Sequence, residues 1–193
     1  MGKQKFDTRI VHGGESKVPN AGAVTVPVYF SSTFKQETFE GGSGYGYARG
    51  NNPTREALEA LIAELEGGKY GFAFASGMAA TQAALSLLHA GDKVIISSNV
   101  YGGTYDVLDK IFRRFEITFS VEDTADLKTL EEKITEDVKA ILVETPSNPT
   151  LTITDLRGIA IWNCILSGLY RSIFQQIVHS YEQGVISCRK PMS

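Results

Sequence analysis

A serine, a glycine and a methionine stand where an apolar run gives way to a helical pattern. Residues 70–75 are the apolar run, and Ser76, Gly77 and Met78 follow it directly. A helix N-terminus presents unpaired N–H groups and a partial positive charge, which suit a phosphate. Gly77 lets a ligand approach the backbone closely. On this local pattern alone, a plain strand-to-helix turn with Ser76 as N-cap is the alternative interpretation.

The histidines and cysteines do not form a metal-binding pattern. His12, His89 and His179 are far apart, and none has the spacing of a metal ligand set. Cys164 and Cys188 form neither a CxxC nor a CxxH pair. We therefore expect neither a zinc site nor a disulfide framework.

Composition and charge argue against several classes of function. The 193 residues carry a formal net charge of -3, without the clustered basic surface that nucleic-acid binding needs. No apolar run approaches the roughly 18 residues of a membrane span, and the first residues, MGKQKFDTRIVHGG, lack the apolar core of a signal peptide. We therefore expect a cytoplasmic protein that binds neither nucleic acid nor membrane.

The elements that must position the candidate residues alternate between strand and helix. This alternation indicates a parallel α/β sheet with crossover helices. Ligands of such sheets bind beyond the carboxyl ends of the strands, so the loops that begin at Ser76, Ser98 and Glu144 are expected at one edge. The pattern predicts strands at 70–75, 93–97, 117–121 and 140–143, and helices at 78–90, 104–115 and 129–134.

The residues before this alternation have a different character. Residues 1–50 are rich in glycine, serine, threonine and aromatic residues. The stretch 24–34 predicts an extended arm, and the Gly-rich tract 41–46 predicts a loop. A helix follows, with Thr54 as its candidate N-cap and Gly67-Gly68 at its end.

The residues after the alternation also differ. From residue 159 the strand–helix pattern stops, and an apolar stripe between Trp162 and Ile177 predicts a helical tail. The predicted domains are an arm with a loop at 1–50, an α/β domain at 51–158 and a tail at 159–193.

Four segments in the same order are similar to the cystathionine γ-synthase and γ-lyase family, the fold-type I pyridoxal-phosphate (PLP) enzymes of cysteine and methionine metabolism. They are YARGNNPTREALEALIAELEGG, FASGMAA, VYGGTYDVL and ETPSNPT. The resemblance covers residues 6–158 and stops before the tail. It implies pyridoxal 5'-phosphate as cofactor and an incomplete PLP-transferase-like large domain of the α/β class.

The resemblance also implies a place at the cofactor for four residues. The amides of Gly77 and Met78 would hold the phosphate. Tyr101 would lie flat against the pyridine ring and exchange protons with the substrate; without the resemblance it would be a turn aromatic packed on its own loop. Asn148 would hydrogen-bond the phenolic oxygen of the ring; alone, it would be a turn residue before Pro149.

Two further residues would serve another copy of the chain. The resemblance implies that Tyr47 and Arg49 reach the phosphate of a neighbouring subunit, since the family builds its sites across the interface of dimers or homotetramers. A guanidinium grips phosphate oxygens in a fork; otherwise Arg49 would be a solvated loop charge. The implied partners are like chains or a full-length relative, and an amino-acid substrate of the cystathionine, homocysteine or cysteine class.

The motifs that complete the family's chemistry do not occur in this sequence. The resemblance implies a Schiff-base lysine in a motif like SATK, an aspartate in a motif like VDNTF and an arginine for the substrate carboxylate. Lys190 lies in a different context, CRKPMS. We therefore expect a truncated chain that is inactive alone, with a tail that arose from a frameshift or premature end. The first strand is expected to lack its partner.

Three hypotheses for function remain. The first is a PLP-dependent transsulfuration enzyme, closer to a lyase than to a synthase, although residues 1–158 do not decide between lyase, synthase and sulfhydrylase. The second is a non-catalytic subunit that pairs with a full-length relative. The third is a generic phosphate- or nucleotide-binding α/β domain, which would not need the whole set of tyrosines, arginine and asparagine.

Overall fold

The computed structural model describes residues 5–13, 22–36, 38–39 and 44–159, together with the backbone of residues 184–189. The chain divides into two compact units, Met1–Ala73 with Ser187–Lys190 and Phe74–Ile186 with Pro191–Ser193. None of the described helices is long and apolar enough to cross a membrane. The elements in chain order are α1 (Phe6–His12), α2 (Pro53–Leu65), β1 (Gly68–Phe74), α3 (Gly77–Leu85), β2 (Lys93–Ser97), α4 (Gly102–Lys110), a 3₁₀ turn (Phe112–Phe115), β3 (Thr118–Glu122), α5 (Leu127–Glu131), β4 (Val138–Leu142) and β5 (Gly184–Arg189).

The start of α2 is capped and also holds the extended arm. The side chain of Asn52 accepts the N–H of Thr54 at 2.9 Å, and Pro53 fills the first turn, where its missing N–H costs nothing. The prediction of Thr54 as N-cap is wrong, because Asn52 directly precedes the proline that starts the helix. The Thr54 hydroxyl instead accepts the N–H of Tyr29 and donates to the carbonyl of Pro27.

Strand β1 lies close to α2 and pairs with β5. A Cβ at Gly71 would stand 2.3 Å from the carbonyl oxygen of Glu59. The carboxylate of Glu59 accepts the N–H of Ala73 at 2.9 Å. Because β1 and β5 form a two-stranded sheet, the expectation of an unpaired first strand is wrong. The stripe between Trp162 and Ile177, predicted as helical, lies outside the described residues.

The second unit contains a three-stranded parallel sheet in the order β3-β2-β4. Strand β2 pairs with β3 in register from Lys93 opposite Thr118 to Ser97 opposite Glu122. Its pairing with β4 has an irregularity between Lys93 and Val94. The helices alternate with these strands along the chain, so the prediction of a parallel α/β fold is confirmed.

Strand β2 supplies side chains to two apolar clusters. Val94, Ile95 and Ile96 all have 0% exposure. Successive residues of a strand point to opposite faces, so Val94 and Ile96 share one cluster and Ile95 belongs to the other. The buried residues of the larger cluster are Leu85, Val94, Ile96, Val107, Leu108, Phe112 and Ile117, and those of the smaller cluster are Ile95, Leu130 and Ile159.

Helices α3 and α4 end earlier than the sequence predicts. The hydroxyl of Ser86 donates to the carbonyl four residues back at 2.7 Å, which favours a helix end. The N–H groups of Leu87 and Leu88 then bond to carbonyls three residues back, so the helix stops short of residue 90. Helix α4 likewise gives way to the 3₁₀ turn instead of continuing to residue 115.

Candidate active site

The N-terminus of α3 leaves two backbone donors open. The hydroxyl of Ser76 accepts the N–H of Ala79 at 3.1 Å, which confirms Ser76 as N-cap. The Ser76 carbonyl accepts the N–H of Ala80 at 3.1 Å. Within the described part of the chain, the N–H groups of Gly77 and Met78 have no hydrogen-bond acceptor. A Cβ at Gly77 would have no atom within 4 Å, so this helix end is accessible to a ligand.

The ring of Tyr101 lies next to the Met78 side chain. A Cβ at Gly103 would stand 2.5 Å from Cε1 of Tyr101 and 3.2 Å from Sδ of Met78. The missing side chain at Gly103 therefore makes room for both groups. Tyr101 is 63% exposed, whereas Met78 packs against the larger apolar cluster. The structure thus brings an exposed aromatic ring to the second residue of α3.

Glu144 links the end of β4 to the start of α4. Its carboxylate accepts the backbone N–H of Tyr101 at 2.8 Å. Its own N–H donates to the hydroxyl of the buried Ser97 at 3.3 Å. Sequence reasoning assigned no role to Glu144, because this contact joins residues 43 positions apart and no local pattern signals it.

Asn148 lies in the loop after β4, which hydroxyl groups support. The buried hydroxyl of Ser147 accepts the N–H of Thr152 at 3.0 Å. The side chain of Asn99 donates to the Thr152 hydroxyl at 3.4 Å, which joins this loop to the one after β2. Asn148 itself is exposed. Its loop therefore leaves the sheet at the same edge as the loop that carries Tyr101.

Tyr47 and Arg49 form a pair of their own in the first unit. The guanidinium carbon of Arg49 lies 5.0 Å from the centre of the Tyr47 ring, and both side chains are exposed. Tyr47 forms an antiparallel bridge with Thr33, and the N–H of Ala48 donates to the carbonyl of Ser32 at 2.9 Å. The other four predicted site residues belong to the second unit.

Side chains of α2 support the loop that carries Tyr47 and Arg49. Arg55 donates to the carbonyl of Gly50 at 2.5 Å and, at longer range, to the carbonyls of the two residues before it. The Tyr45 hydroxyl donates to the carboxylate of α2 residue Glu56. Burial and this hydrogen bond raise the pKa of Tyr45 to about 12. The Tyr45 hydroxyl therefore stays protonated at neutral pH and keeps donating to Glu56.

The candidate residues suit an anionic ring compound. Paired N–H groups at a helix N-terminus match a phosphate, and the exposed ring of Tyr101 offers a face for stacking. Pyridoxal phosphate carries both a phosphate and a flat pyridine ring, so the residues present fit this cofactor. Among the described residues, no group of three His, Cys, Asp or Glu side chains is placed to hold a metal ion.

Comparisons with known proteins agree with this fit. The family of Cys/Met metabolism PLP-dependent enzymes matches residues 7–163. Cystathionine beta-lyase of Lactococcus lactis subsp. cremoris (strain MG1363) is 46% identical over 153 residues, or 79% of this chain. Cystathionine gamma-lyase of Bacillus subtilis (strain 168) is 47% identical over 156 residues, or 81% of this chain. The crystal structure of cystathionine gamma-lyase from Lactobacillus plantarum, complexed with L-serine, matches 97% of this chain with a TM-score of 0.85 and 39% identity.

The chain spans less than two thirds of each of these relatives. It covers 40% of the Lactococcus lactis enzyme, 41% of the Bacillus subtilis enzyme and 56% of the Lactobacillus plantarum chain. Within this chain, the family match includes both units' candidate residues, from Tyr47 to Asn148. The sequence motifs, the parallel sheet and the open helix end beside an exposed tyrosine therefore have one explanation: the chain belongs to the Cys/Met metabolism family of PLP-dependent enzymes.

Proposed function

We propose that the chain is part of a transsulfuration enzyme that cleaves or forms C–S bonds in amino acids of the cystathionine, homocysteine or cysteine class. One observation carries this proposal: the open N-terminus of α3 lies beside the exposed ring of Tyr101. The names of the cystathionine lyase relatives support the substrate class.

Each candidate residue has a specific task at the cofactor. The N–H groups of Gly77 and Met78 bind the phosphate, where the helix N-terminus adds favourable charge. The ring of Tyr101 lies against the pyridine ring, and its hydroxyl moves a proton to or from the substrate. The side-chain amide of Asn148 donates to the phenolic oxygen of the ring. When bound, PLP supplies an electron sink for the reaction.

Tyr47 and Arg49 serve the site of another copy. The loop is supported by α2 and by the bridge to Thr33, and both side chains are exposed and next to each other. A charge-assisted hydrogen bond from Arg49 to a phosphate oxygen contributes about 1.5–3 kcal/mol. This corresponds to roughly a ten- to hundredfold change in cofactor affinity.

We also propose a second function for this chain, that of a non-catalytic subunit that pairs with a full-length relative. The 193 residues contain the phosphate-binding and ring-contacting motifs but no segment like SATK or VDNTF. On this proposal the chain alone has no turnover, and it contributes Tyr47 and Arg49 to a partner that holds the missing groups.

Binding of pyridoxamine 5'-phosphate by the purified chain tests the proposed site. This compound has no aldehyde, so its affinity reports the phosphate and ring contacts without attachment to surface lysines. We expect Tyr101→Phe to bind it like wild type, because the ring is retained. Tyr101→Ala should bind about two- to tenfold more weakly, the contribution of one aromatic stacking contact. Isothermal titration calorimetry measures the affinities.

Pyridoxamine without its phosphate is the matched control ligand. It should bind much more weakly to the wild-type chain, because it lacks the group that the N–H groups of Gly77 and Met78 hold. Equal affinities for the two ligands, or an unchanged affinity in Tyr101→Ala, would show that the open end of α3 is not the cofactor site.

A further inference from the structure

The backbone of Tyr101 is held from outside its own helix. Tyr101 is the N-cap residue of α4, but its side chain makes no capping hydrogen bond. Its N–H points away from α4 and donates to the carboxylate of Glu144 at 2.8 Å. An N–H bonded to a carboxylate makes a charge-assisted contact, about twice as strong as one between neutral groups.

Glu144 is itself anchored to the centre of the sheet. Its N–H donates to the hydroxyl of Ser97, the last residue of β2, at 3.3 Å. Ser97 is 5% exposed, so this anchor is buried among the strand ends. Glu144 therefore connects the rigid end of the parallel sheet to the residue that begins α4.

The ring of Tyr101 depends on this backbone support. The ring is 63% exposed and lies beside Gly103, which has no side chain, and the flexible thioether of Met78. An exposed ring with so little packing takes its orientation mainly from the backbone that carries it. Because the Tyr101 backbone is already fixed, stacking of the ring on a ligand loses less conformational entropy.

We propose that Glu144 is a positioning residue that acts through Tyr101, holding its ring where a planar cofactor can stack on it. The inference deepens the proposed function and rests on it, because Tyr101 is the ring-contacting residue there. Glu144 acts without direct contact to the cofactor or the substrate. Its contribution reaches the ligand only through the Tyr101 backbone.

The first test observes the Tyr101 backbone without any ligand. Labelling with ¹⁵N-tyrosine gives one amide signal for each of the eight tyrosines, and Tyr101→Phe identifies the signal of Tyr101. Glu144→Gln retains the length and an acceptor oxygen but removes the charge, and Glu144→Ala removes the acceptor. We expect the Tyr101 amide to shift more than any other tyrosine amide in both variants, and further in Glu144→Ala. An unmoved Tyr101 amide would overturn the proposal.

The second test is a double-mutant cycle with pyridoxamine 5'-phosphate as ligand. Loss of a negative charge near an anionic ligand should by itself strengthen binding. Loss of Tyr101 positioning should instead weaken it by about two- to tenfold, the worth of one stacking contact. We expect Glu144→Ala to weaken binding in the wild-type background and to have no weakening effect in Tyr101→Ala. Equal weakening in both backgrounds would mean that Glu144 does not act through Tyr101.

Glu122→Ala is the matched control. Glu122 is the last residue of β3, pairs with Ser97 in the sheet and carries the same charge as Glu144. Its removal should leave the Tyr101 amide in place and should not weaken ligand binding. If Glu144→Ala does not fold, the double-mutant cycle with Tyr101→Ala is measured with Glu144→Gln instead. A wild-type chain that does not bind the ligand refutes the proposed function, whereas the amide spectra still decide whether Glu144 holds Tyr101.

Discussion

Gly102 and Gly103 are neighbours at the start of α4, yet a methyl group would meet different surroundings at each. At Gly102 a Cβ would have no atom within 4 Å. At Gly103 it would lie 2.5 Å from the ring of Tyr101 and 3.2 Å from Sδ of Met78. A side chain at Gly103 therefore has to displace the candidate cofactor-stacking ring, whereas one at Gly102 does not.

This difference gives a prediction about binding rather than stability. Gly103→Ala should weaken pyridoxamine 5'-phosphate binding by about two- to tenfold, because the displaced Tyr101 ring loses its stacking geometry. Gly102→Ala adds the same methyl group to the same helical turn but does not meet the Tyr101 ring. It should therefore bind like wild type. Calorimetric titration of the two variants provides the comparison. Equal affinities would mean that the Tyr101 ring is not at the ligand.

At the residue scale, local chemistry was predictable and distant contacts were not. Ser76 could be predicted as an N-cap because serine before a helical pattern satisfies an N–H within its own turn. The prediction of Thr54 as N-cap is wrong, because its hydroxyl bonds to backbone groups of the arm, 25 and 27 residues away. Glu144 was missed for the same reason. The functional roles of Gly77, Met78, Tyr101, Asn148, Tyr47 and Arg49 stay predictions.

Helix α2 and strand β1 approach each other at a point where only hydrogen fits. The Cβ of any residue at position 71 would stand 2.3 Å from the carbonyl oxygen of Glu59 and 3.2 Å from its carbonyl carbon. Both atoms belong to the backbone of α2 and cannot rotate away as a side chain can. The hydrogen bond from Ala73 to the Glu59 carboxylate fixes the strand at this distance.

Gly71→Ala should therefore destabilise the chain by about 1–3 kcal/mol, the usual cost of overpacking. Gly46→Ala lies in the same unit and is the control, because the nearest atom to its Cβ would be the Gln36 side chain at 3.9 Å. Its free energy of unfolding should change by no more than about 0.5 kcal/mol. Urea unfolding followed by circular dichroism gives both values. Similar midpoints for the two variants would contradict the close approach.

At the element scale, the strands of the parallel sheet were easier to predict than the helix ends. Strand β2 has the bounds that its apolar run indicates, since a strand buried on both faces has a continuous apolar sequence. The end of α3 was not anticipated; there the hydroxyl of Ser86 donates to the carbonyl of Gln82, which also accepts the N–H of Ser86. The partner of β1 could not be inferred, because β5 lies more than 100 residues further along the chain.

At the scale of the whole chain, the loop that carries Tyr47 and Arg49 is supported by other parts of the first unit. The loop of Tyr47 and Arg49 is held by hydrogen bonds from Arg55 and by the bridge to Thr33. These contacts all lie within the first unit.

Co-expression tests whether this loop serves a partner. The purified chain alone should release neither pyruvate nor 2-oxobutyrate from cystathionine. Mixed with a full-length relative that carries Arg→Ala at the position matching Arg49, it should restore activity at limiting PLP, because it supplies the missing guanidinium. The gain should be about ten- to hundredfold in apparent cofactor affinity. Activity per mole of the co-purified oligomer is the measurement.

An Arg49→Ala version of this chain is the control for that experiment. It should co-purify with the mutated relative but restore nothing. Rescue by this variant, or co-purification of the wild-type chain without rescue, would show that Arg49 does not act across an interface. Turnover by the chain alone that Tyr101→Phe abolishes would refute the proposal that it is inactive by itself.

The last feature is the register of the central strand β2 with its neighbours in the sheet. Val94, Ile95 and Ile96 are all branched aliphatic residues, and they alternate between the two clusters. A slip of β2 by one residue would exchange the faces while leaving both clusters aliphatic, so these side chains carry little information about register. The hydroxyl of Ser97 does distinguish the registers, since only the observed register places this group against the N–H of Glu144. The alignment of the sheet and the support of Tyr101 thus depend on the same oxygen atom.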